Sequence, residues 1–121
     1  MAGIRWFQHD VRAHGDPSFE PLLAKHGAAG YGWYWMLVER AHEDGPLLDA
    51  SDPDTVAGMA RGMDMTAQQL NDFVSDCCRW GLFDADAWQR HVITSPRICL
   101  QRERYDQSVE SGKRGAAKRW K

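Results

Sequence analysis

The segment from Thr66 to Trp80 constrains the fold more than any other part of the sequence. Thr66 and Gln69 have the types and spacing of a helix capping box, and Gly81 stands where a helix ends. The following residues are apolar at helical spacing and predict one buried face: Leu70, Phe73, Val74 and Cys77. The remaining residues predict an exposed polar face: Gln68, Asn71, Asp72, Ser75, Asp76 and Arg79.

A second helix is predicted just before this one. Asp52 and Pro53 are a cap and a first helical residue, and the pattern continues to residue 62. Only Met63-Asp64-Met65 separates the two helices, which is the connector length typical of a helix-turn-helix.

The remaining elements surround this pair. A helix capped at Ser18 or later is predicted to stop at Gly27, and residues 31–44, apolar on nearly every face, predict a central helix. The glycines at 30 and 32 are expected to permit close packing. Short strands are predicted at 47–49 and 91–94. Residues 80–94 have the pattern of a strand, a turn and a second strand, which suggests a hairpin. Ser95 and Pro96 open a last helix through about Val109.

This order predicts a mainly α fold with a small β-hairpin, a winged helix-turn-helix with extra N-terminal and C-terminal helices. Residues 1–110 form the predicted domain. Residues 111–121, rich in glycine, small and basic residues, are expected to be a flexible basic tail and a possible linker to a further domain.

The net charge of −2 hides a strong asymmetry. Residues 1–96 carry seven Lys/Arg and fourteen Asp/Glu, a net charge of −7, whereas residues 97–121 carry eight against three, a net charge of +5. A basic end on an acidic body favours a polyanionic partner at that end.

Several function classes are excluded or disfavoured. The chain lacks an apolar run long enough for a membrane helix or a signal peptide, so we expect a cytoplasmic protein without a membrane partner. Its three cysteines match no CxxC spacing and are expected to be reduced thiols. Cys77 is expected in the core, and Cys78 is the more exposed candidate.

No catalytic or cofactor site is predicted. His9 and Asp10, with His14 and Asp16 behind them, have the residue types of a metal site or a phosphohydrolase. They lie in a loop without the further ligands such sites need, so we expect His9 and Asp10 to bond backbone groups where the N-terminal arm meets the core. We therefore expect neither an enzyme nor a metal or cofactor.

The basic end is the stronger candidate for DNA contact, mainly through phosphates, with a tryptophan able to stack on a base. Its candidate residues are Arg97, Arg102, Arg104, Lys113, Arg114, Lys118, Arg119 and Trp120. The polar face of the 66–80 helix offers Gln68, Gln69 and Asn71 for base contacts, although Asp72 and Asp76 on that face would repel phosphates. A solubilising linker is the alternative for the tail.

Aromatic residues exceed what one small core needs, with six Trp in the chain. We expect some of them to form a homo-oligomer interface, with these candidates: Trp6, Phe7, Tyr31, Trp33 and Trp35.

Four short motifs, in this order and spacing, resemble the N-terminal domain of phage replisome organisers and related DnaD-like replication initiation proteins. They are Trp6-Phe7-x-His9-Asp10, Gly27-x-x-Gly30-Tyr31-Gly32-x-Tyr34-Trp35, Trp80-Gly81-Leu82-Phe83, and Gly112-Lys113-Arg114-Gly115 followed by Ala116-Ala117-Lys118-Arg119-Trp120. The resemblance implies a winged-helix module that binds DNA and replication proteins during initiation.

The leading hypothesis is a replisome-organiser module of phage or prophage origin, which acts as a scaffold for DNA and protein partners. Two alternatives remain open: a winged-helix transcriptional regulator with sequence-specific readout, and a protein interaction module without DNA contact.

Overall fold

The computed structural model describes residue 7 and residues 9–119, with side chains as far as residue 113. This part of the chain is mainly helical and contains one small antiparallel sheet. Two short 3₁₀ turns, Ala13–Gly15 and Pro17–Phe19, precede the following elements: α1 (Glu20–Glu43), β1 (Leu48–Asp49), α2 (Pro53–Gly62), α3 (Ala67–Arg79), α4 (Ala85–Gln89), β2 (Val92–Ile93) and α5 (Pro96–Arg119). None of the described helices is long and apolar enough to cross a bilayer.

A break at Gly27 divides α1 into two helical segments. Gly27 has φ +66° and ψ −161°, a backbone conformation that only glycine adopts without strain, so the predicted stop is confirmed. The break folds the first segment onto the second at Gly30, where an added Cβ would lie 2.4 Å from the Cβ of His26. The prediction that these glycines permit close packing is confirmed for Gly30. It is wrong for Gly32, which faces open space.

The helix pair α2 and α3 has the predicted caps and connector. The Asp52 carboxylate accepts hydrogen bonds from the backbone N–H of Asp54 and from the Thr55 hydroxyl, at 3.4 and 2.8 Å. At the start of α3, Thr66 and Gln69 each accept a hydrogen bond from the other's backbone N–H, at 3.1 and 2.8 Å. The capping box therefore defines where α3 begins, as its sequence predicts.

The predicted hairpin is wrong. The two strands of the sheet are β1 and β2, with Leu48 opposite Ile93 and Asp49 opposite Val92, so the sheet joins segments far apart in sequence. The intervening residues form α4 instead of a strand and a turn. The reason is local: Asp84 caps the helix by accepting the Ala87 N–H at 3.1 Å, and alanines favour the helical backbone that follows.

One hydrophobic core joins the helices to the sheet. Leu37 of α1 and Phe73 and Val74 of α3 are fully buried at its centre, and Ile93 and Ile98 cover it from β2 and α5. The predicted apolar face of α3, including Cys77, is confirmed. Burial raises the pKa of the Cys77 thiol well above its usual range, and burial with the nearby Asp84 raises that of Cys78 to about 11.

The last helix is longer than its sequence predicts. It begins at the Ser95 cap, whose hydroxyl accepts the Ile98 N–H at 3.1 Å, but its backbone continues past Val109 to Arg119. Residues 111–119, predicted as a flexible tail, are therefore helical. Two glycines at 112 and 115 cost a helix about 1 kcal/mol each relative to alanine, whereas the Arg, Glu, Lys and Ala residues around them are good helix formers.

Candidate functional site

One face of α5 is polar, cationic and free of carboxylates. Five of its residues recur at alternating spacings of four and three and so line one side of the helix; we call them the basic face: Arg97, Gln101, Arg104, Ser108 and Ser111. The helical register places the acidic residues Glu103, Asp106 and Glu110 on the other side. Because α5 segregates its charges, an anion can approach the basic face without meeting a carboxylate of this helix.

The arginines of α5 differ in their availability. Arg97 and Arg104 are exposed, and neither forms an ion pair with another residue in the described part of the chain. Arg102 instead donates from Nε to both carboxylate oxygens of Asp106, at 3.1 and 3.3 Å, and its side chain is 11% exposed. Of the predicted DNA contacts at the start of α5, Arg97 and Arg104 are therefore the available ones and Arg102 has a structural role.

The remaining candidates at the basic end are less defined. Lys113 is exposed. Arg114, Lys118 and Arg119 belong to the helical backbone, but their side chains lie outside the described part, as does Trp120.

A cleft of about 590 Å³ lies between the basic face and the N-terminal arm, by which we mean the described residues before Pro17. Its lining consists of His9, Asp10, Arg97, Leu100, Gln101 and Arg104. Leu100 is 44% exposed and contributes an apolar side chain to the lining. The tertiary fold thus adds an imidazole and a carboxylate from the arm to two available guanidinium groups.

Aromatic stacking holds the arm against α1. The His9 ring stacks on Trp35 with centroids 3.6 Å apart, and Phe7 stacks on His42 at 4.3 Å. Asp10 accepts the backbone N–H of Arg12 at 2.8 Å, as predicted for a residue that shapes the arm, whereas His9 packs on a ring and not on a backbone group. Within residues 7 and 9–119, no group of three or more His, Cys, Asp or Glu side chains is placed to hold a metal.

His42 lies beneath the arm and is buried. Its Nδ1 has no hydrogen-bond partner among the described residues, and the same is true of Trp35 Nε1 beside it. Burial, assisted by the positive charge of Arg102, lowers the pKa of His42. Protonation of His42 therefore opposes the folded state.

Acidification is expected to destabilise the protein partly through His42. Its pKa is lower in the folded than in the unfolded chain, so the unfolded chain binds more protons once the pH falls below about 6.5. The free energy of unfolding, measured by urea denaturation, should fall between pH 7.5 and 5.5, and less so in H42F. Parallel pH curves for the wild type and H42F would contradict this assignment.

The predicted recognition face of α3 is partly engaged within the helix. Gln69 closes the capping box, and Gln68 donates from Nε2 to Asp72 at 2.9 Å, while Asn71 is exposed. These contacts leave Asn71 as the freest of the three predicted base-reading side chains.

Asp76 is not on the exposed face, which corrects the prediction. It is buried and lies 2.7 Å from Lys25 Nζ, 3.0 Å from His26 Nε2 and 2.9 Å from Arg79 Nη2. Burial by itself raises the pKa of Asp76, but hydrogen bonds from Lys25 and His26, with the charges of Lys25 and Arg79, outweigh it and lower the pKa overall. Helical periodicity missed this because the break in α1 brings Lys25 and His26 over α3.

The described aromatic residues among those predicted at an oligomer interface have partners within the chain. Trp35 is 9% exposed and packs in the core, so it is not available as an interface residue. Trp33 is partly buried and donates from Nε1 to the Met63 carbonyl at 3.1 Å, Tyr31 packs edge-on against Phe19, and Phe7 belongs to the arm stack. Trp6 lies outside the described residues, and self-association stays a prediction.

Sequence reasoning missed the part of the site that depends on the arm and on the length of α5. Gln101, Leu100, Ser108 and Ser111 did not stand out individually, and His9 was assigned to the arm alone. The alternating spacing from Arg97 to Ser111 is a readable signal, since continuing the helical period past Val109 places these residues on one face.

The sequence pattern of the Lin1244/Lin1753-like, N-terminal family matches residues 6–98 of this chain. No curated protein and no solved structure is significantly similar to it. The matched region includes the arm, both strands, helices α1 to α4 and the start of α5 with Arg97. Most of the basic face lies beyond it.

Proposed function

We propose a nucleic-acid-binding function for this chain, which belongs to the Lin1244/Lin1753-like, N-terminal family. The basic face of α5 contacts the phosphate backbone, and the acidic body carries protein partners. In this proposal the chain is a scaffold module for DNA replication initiation, of phage or prophage origin, as its resemblance to replisome organisers implies.

The observation that carries the proposal is the basic face itself. Two exposed arginines that form no ion pair with another described residue lie seven residues apart on a helix face that has hydroxyl and amide groups and no carboxylate. Guanidinium and hydroxyl groups are common phosphate ligands, and such contacts bind nucleic acid without reading its sequence. The opposite charge of the body, −7 over residues 1–96, disfavours a second phosphate-binding surface there.

The body supports a winged-helix interpretation in outline. Helices α2 and α3 are separated by Met63-Asp64-Met65 and the Thr66 cap, and the paired strands β1 and β2 precede and follow this helix pair along the chain, an order that the winged-helix fold shares. In our proposal this body docks the replication partner, and α3 is not the main DNA-reading element.

One observation favours the alternative of a transcriptional regulator. With Asp76 buried and ion-paired, the exposed face of α3 carries one carboxylate fewer than its sequence suggests. Asn71 is then the side chain best placed to contact a base edge, and N71A separates the two hypotheses.

Replacing both available arginines is expected to weaken DNA binding. In R97Q/R104Q, loss of two phosphate contacts should reduce the slope of log affinity against log salt concentration by about 1 to 2 and lower affinity roughly tenfold or more at low salt. Fluorescence anisotropy of a labelled DNA of about fifteen nucleotides, single-stranded and duplex, measures both quantities.

The matched control is R61Q/R90Q, which removes the same charge from two exposed positions of the body, away from the basic face. It should retain most of the affinity and the slope. Equal losses in the two double variants would mean that net charge and not the basic face binds DNA. A larger loss in N71A, confined to one DNA sequence, would favour the regulator.

A further inference from the structure

We infer that the cleft between the arm and α5 accepts one unstacked nucleotide of single-stranded DNA, so that this protein prefers single strands to duplexes. This inference rests on the proposed function and assigns a substrate class to the same site.

The two walls of the cleft differ in chemistry. On the α5 wall, Arg97 and Arg104 are about 10 Å apart along the helix axis, with Leu100 and Gln101 between them. The arm wall presents the His9 imidazole. The cations and the apolar Leu100 on the α5 wall, facing an imidazole ring on the arm wall, match the two parts of a nucleotide, its phosphate and its base.

Asp10 sets the orientation of the bound nucleotide. Its carboxylate belongs to the arm wall, where it accepts the Arg12 N–H and repels a phosphate. The phosphate is therefore expected at the α5 wall, which leaves the base against His9 and Leu100.

The shape of the cleft favours a single strand. Its volume of about 590 Å³ lies within the range of small-ligand sites, which is enough for one nucleotide. A duplex keeps its bases stacked inside and presents only backbone to such a concave site. Single-strand binding proteins combine a cationic groove with rings on which bases stack, and both parts are present here.

Ring contacts within the chain hold the arm wall in place. His9 stacks on Trp35 at 3.6 Å, and Trp35 is itself packed among Phe19, Tyr31 and Tyr34. Because the ring is already held in place, binding a base there requires little further ordering of the arm.

The test compares a labelled single strand of fifteen thymidines with a duplex of the same length, using H9A and the control H14A. His14 is exposed, lies in the same arm and does not line the cleft. We expect tighter binding to the single strand, a loss of about fivefold or more in H9A for the single strand only, and no change in H14A. H9F, which keeps a ring on Trp35, should retain single-strand binding even if H9A loosens the arm.

The outcomes separate this inference from the proposed function. If R97Q/R104Q weakens binding but H9A weakens neither DNA, the nucleotide cleft is wrong and phosphate binding by the basic face stands. Equal losses in H9A for both DNAs, a loss in H9F as large as in H9A, or duplex preference in the wild type would also overturn the inference. If R97Q/R104Q leaves both DNAs bound as before, both proposals fail.

Discussion

Replacing Asp76 by asparagine is expected to lower the free energy of unfolding by about 2 to 3 kcal/mol. The carboxylate is buried, and it forms ion pairs with Lys25 and Arg79 and a hydrogen bond with His26. Removing its charge leaves three donors facing a neutral amide that cannot satisfy all of them. Lys25 and Arg79 are more than half exposed and regain water, which keeps the loss below that of a fully buried ion pair.

The control for this variant is D72N. Asp72 lies one turn earlier on α3, is exposed, and has a hydrogen bond to Gln68. Its replacement should change the free energy of unfolding by less than about 0.5 kcal/mol. Urea denaturation followed by tryptophan fluorescence gives both values, and similar losses in D72N and D76N would refute the assigned role.

The same variant should change the response to acid. Because the pKa of Asp76 is lower in the folded than in the unfolded chain, its contribution to stability is present above the unfolded pKa of about 3.9 and is lost as the pH falls through the folded pKa. D76N should therefore lose less stability than the wild type below about pH 4.

Replacing Gly30 by alanine is expected to destabilise the protein by about 2 kcal/mol, although alanine normally stabilises a helix by about 1 kcal/mol relative to glycine. The new methyl group would lie 2.4 Å from the Cβ of His26 and 3.3 Å from Leu22 Cδ2. A Cβ is fixed to its backbone, so relief requires the two segments of α1 to separate.

G32A is the matched control, since Gly32 lies two residues further along the same helix and an added Cβ meets nothing within 4 Å. It should raise the free energy of unfolding by about 0.5 to 1 kcal/mol. Opposite signs for G30A and G32A are expected in thermal and urea denaturation, and a stabilised G30A would contradict the close packing at the Gly27 break. Because His26 also contacts Asp76, we expect G30A and D76N to be non-additive.

Local signals in the sequence predicted the starts of α2, α3 and α5 and the break in α1. The Thr66–Gln69 box, the Asp52 and Ser95 caps, and the break at Gly27 depend on hydrogen bonds and backbone angles within a few residues, so residue type and spacing suffice to predict them. The end of α5 was harder to predict because small differences in helix propensity over residues 110–119 decide it, and no strong cap or proline marks a stop.

Contacts between segments far apart in the sequence could not be predicted from local sequence patterns. The pairing of Leu48 with Ile93 depends on how the helices pack and so bring the two strands together. A strand of two residues has too short a hydrophobic pattern to predict its partner. The cleft depends on such contacts in the same way. It forms because the arm, stacked on Trp35 of α1, lies next to α5.

The sequence by itself determined a mainly helical chain, the α2–α3 pair and the opposite charges of the body and the last helix, because each of these follows from residue type and period along the chain. Only the tertiary structure decided which charges remain available. Asp76 has the spacing of a surface residue but is paired with Lys25 of α1 and Arg79 of α3, and Arg102 is held by Asp106, whereas Arg97 and Arg104 stay without ion pairs among the described residues. The physical reason is that the strength of a charge in solution depends on its neighbours in space and on its burial, and a helical period specifies neither.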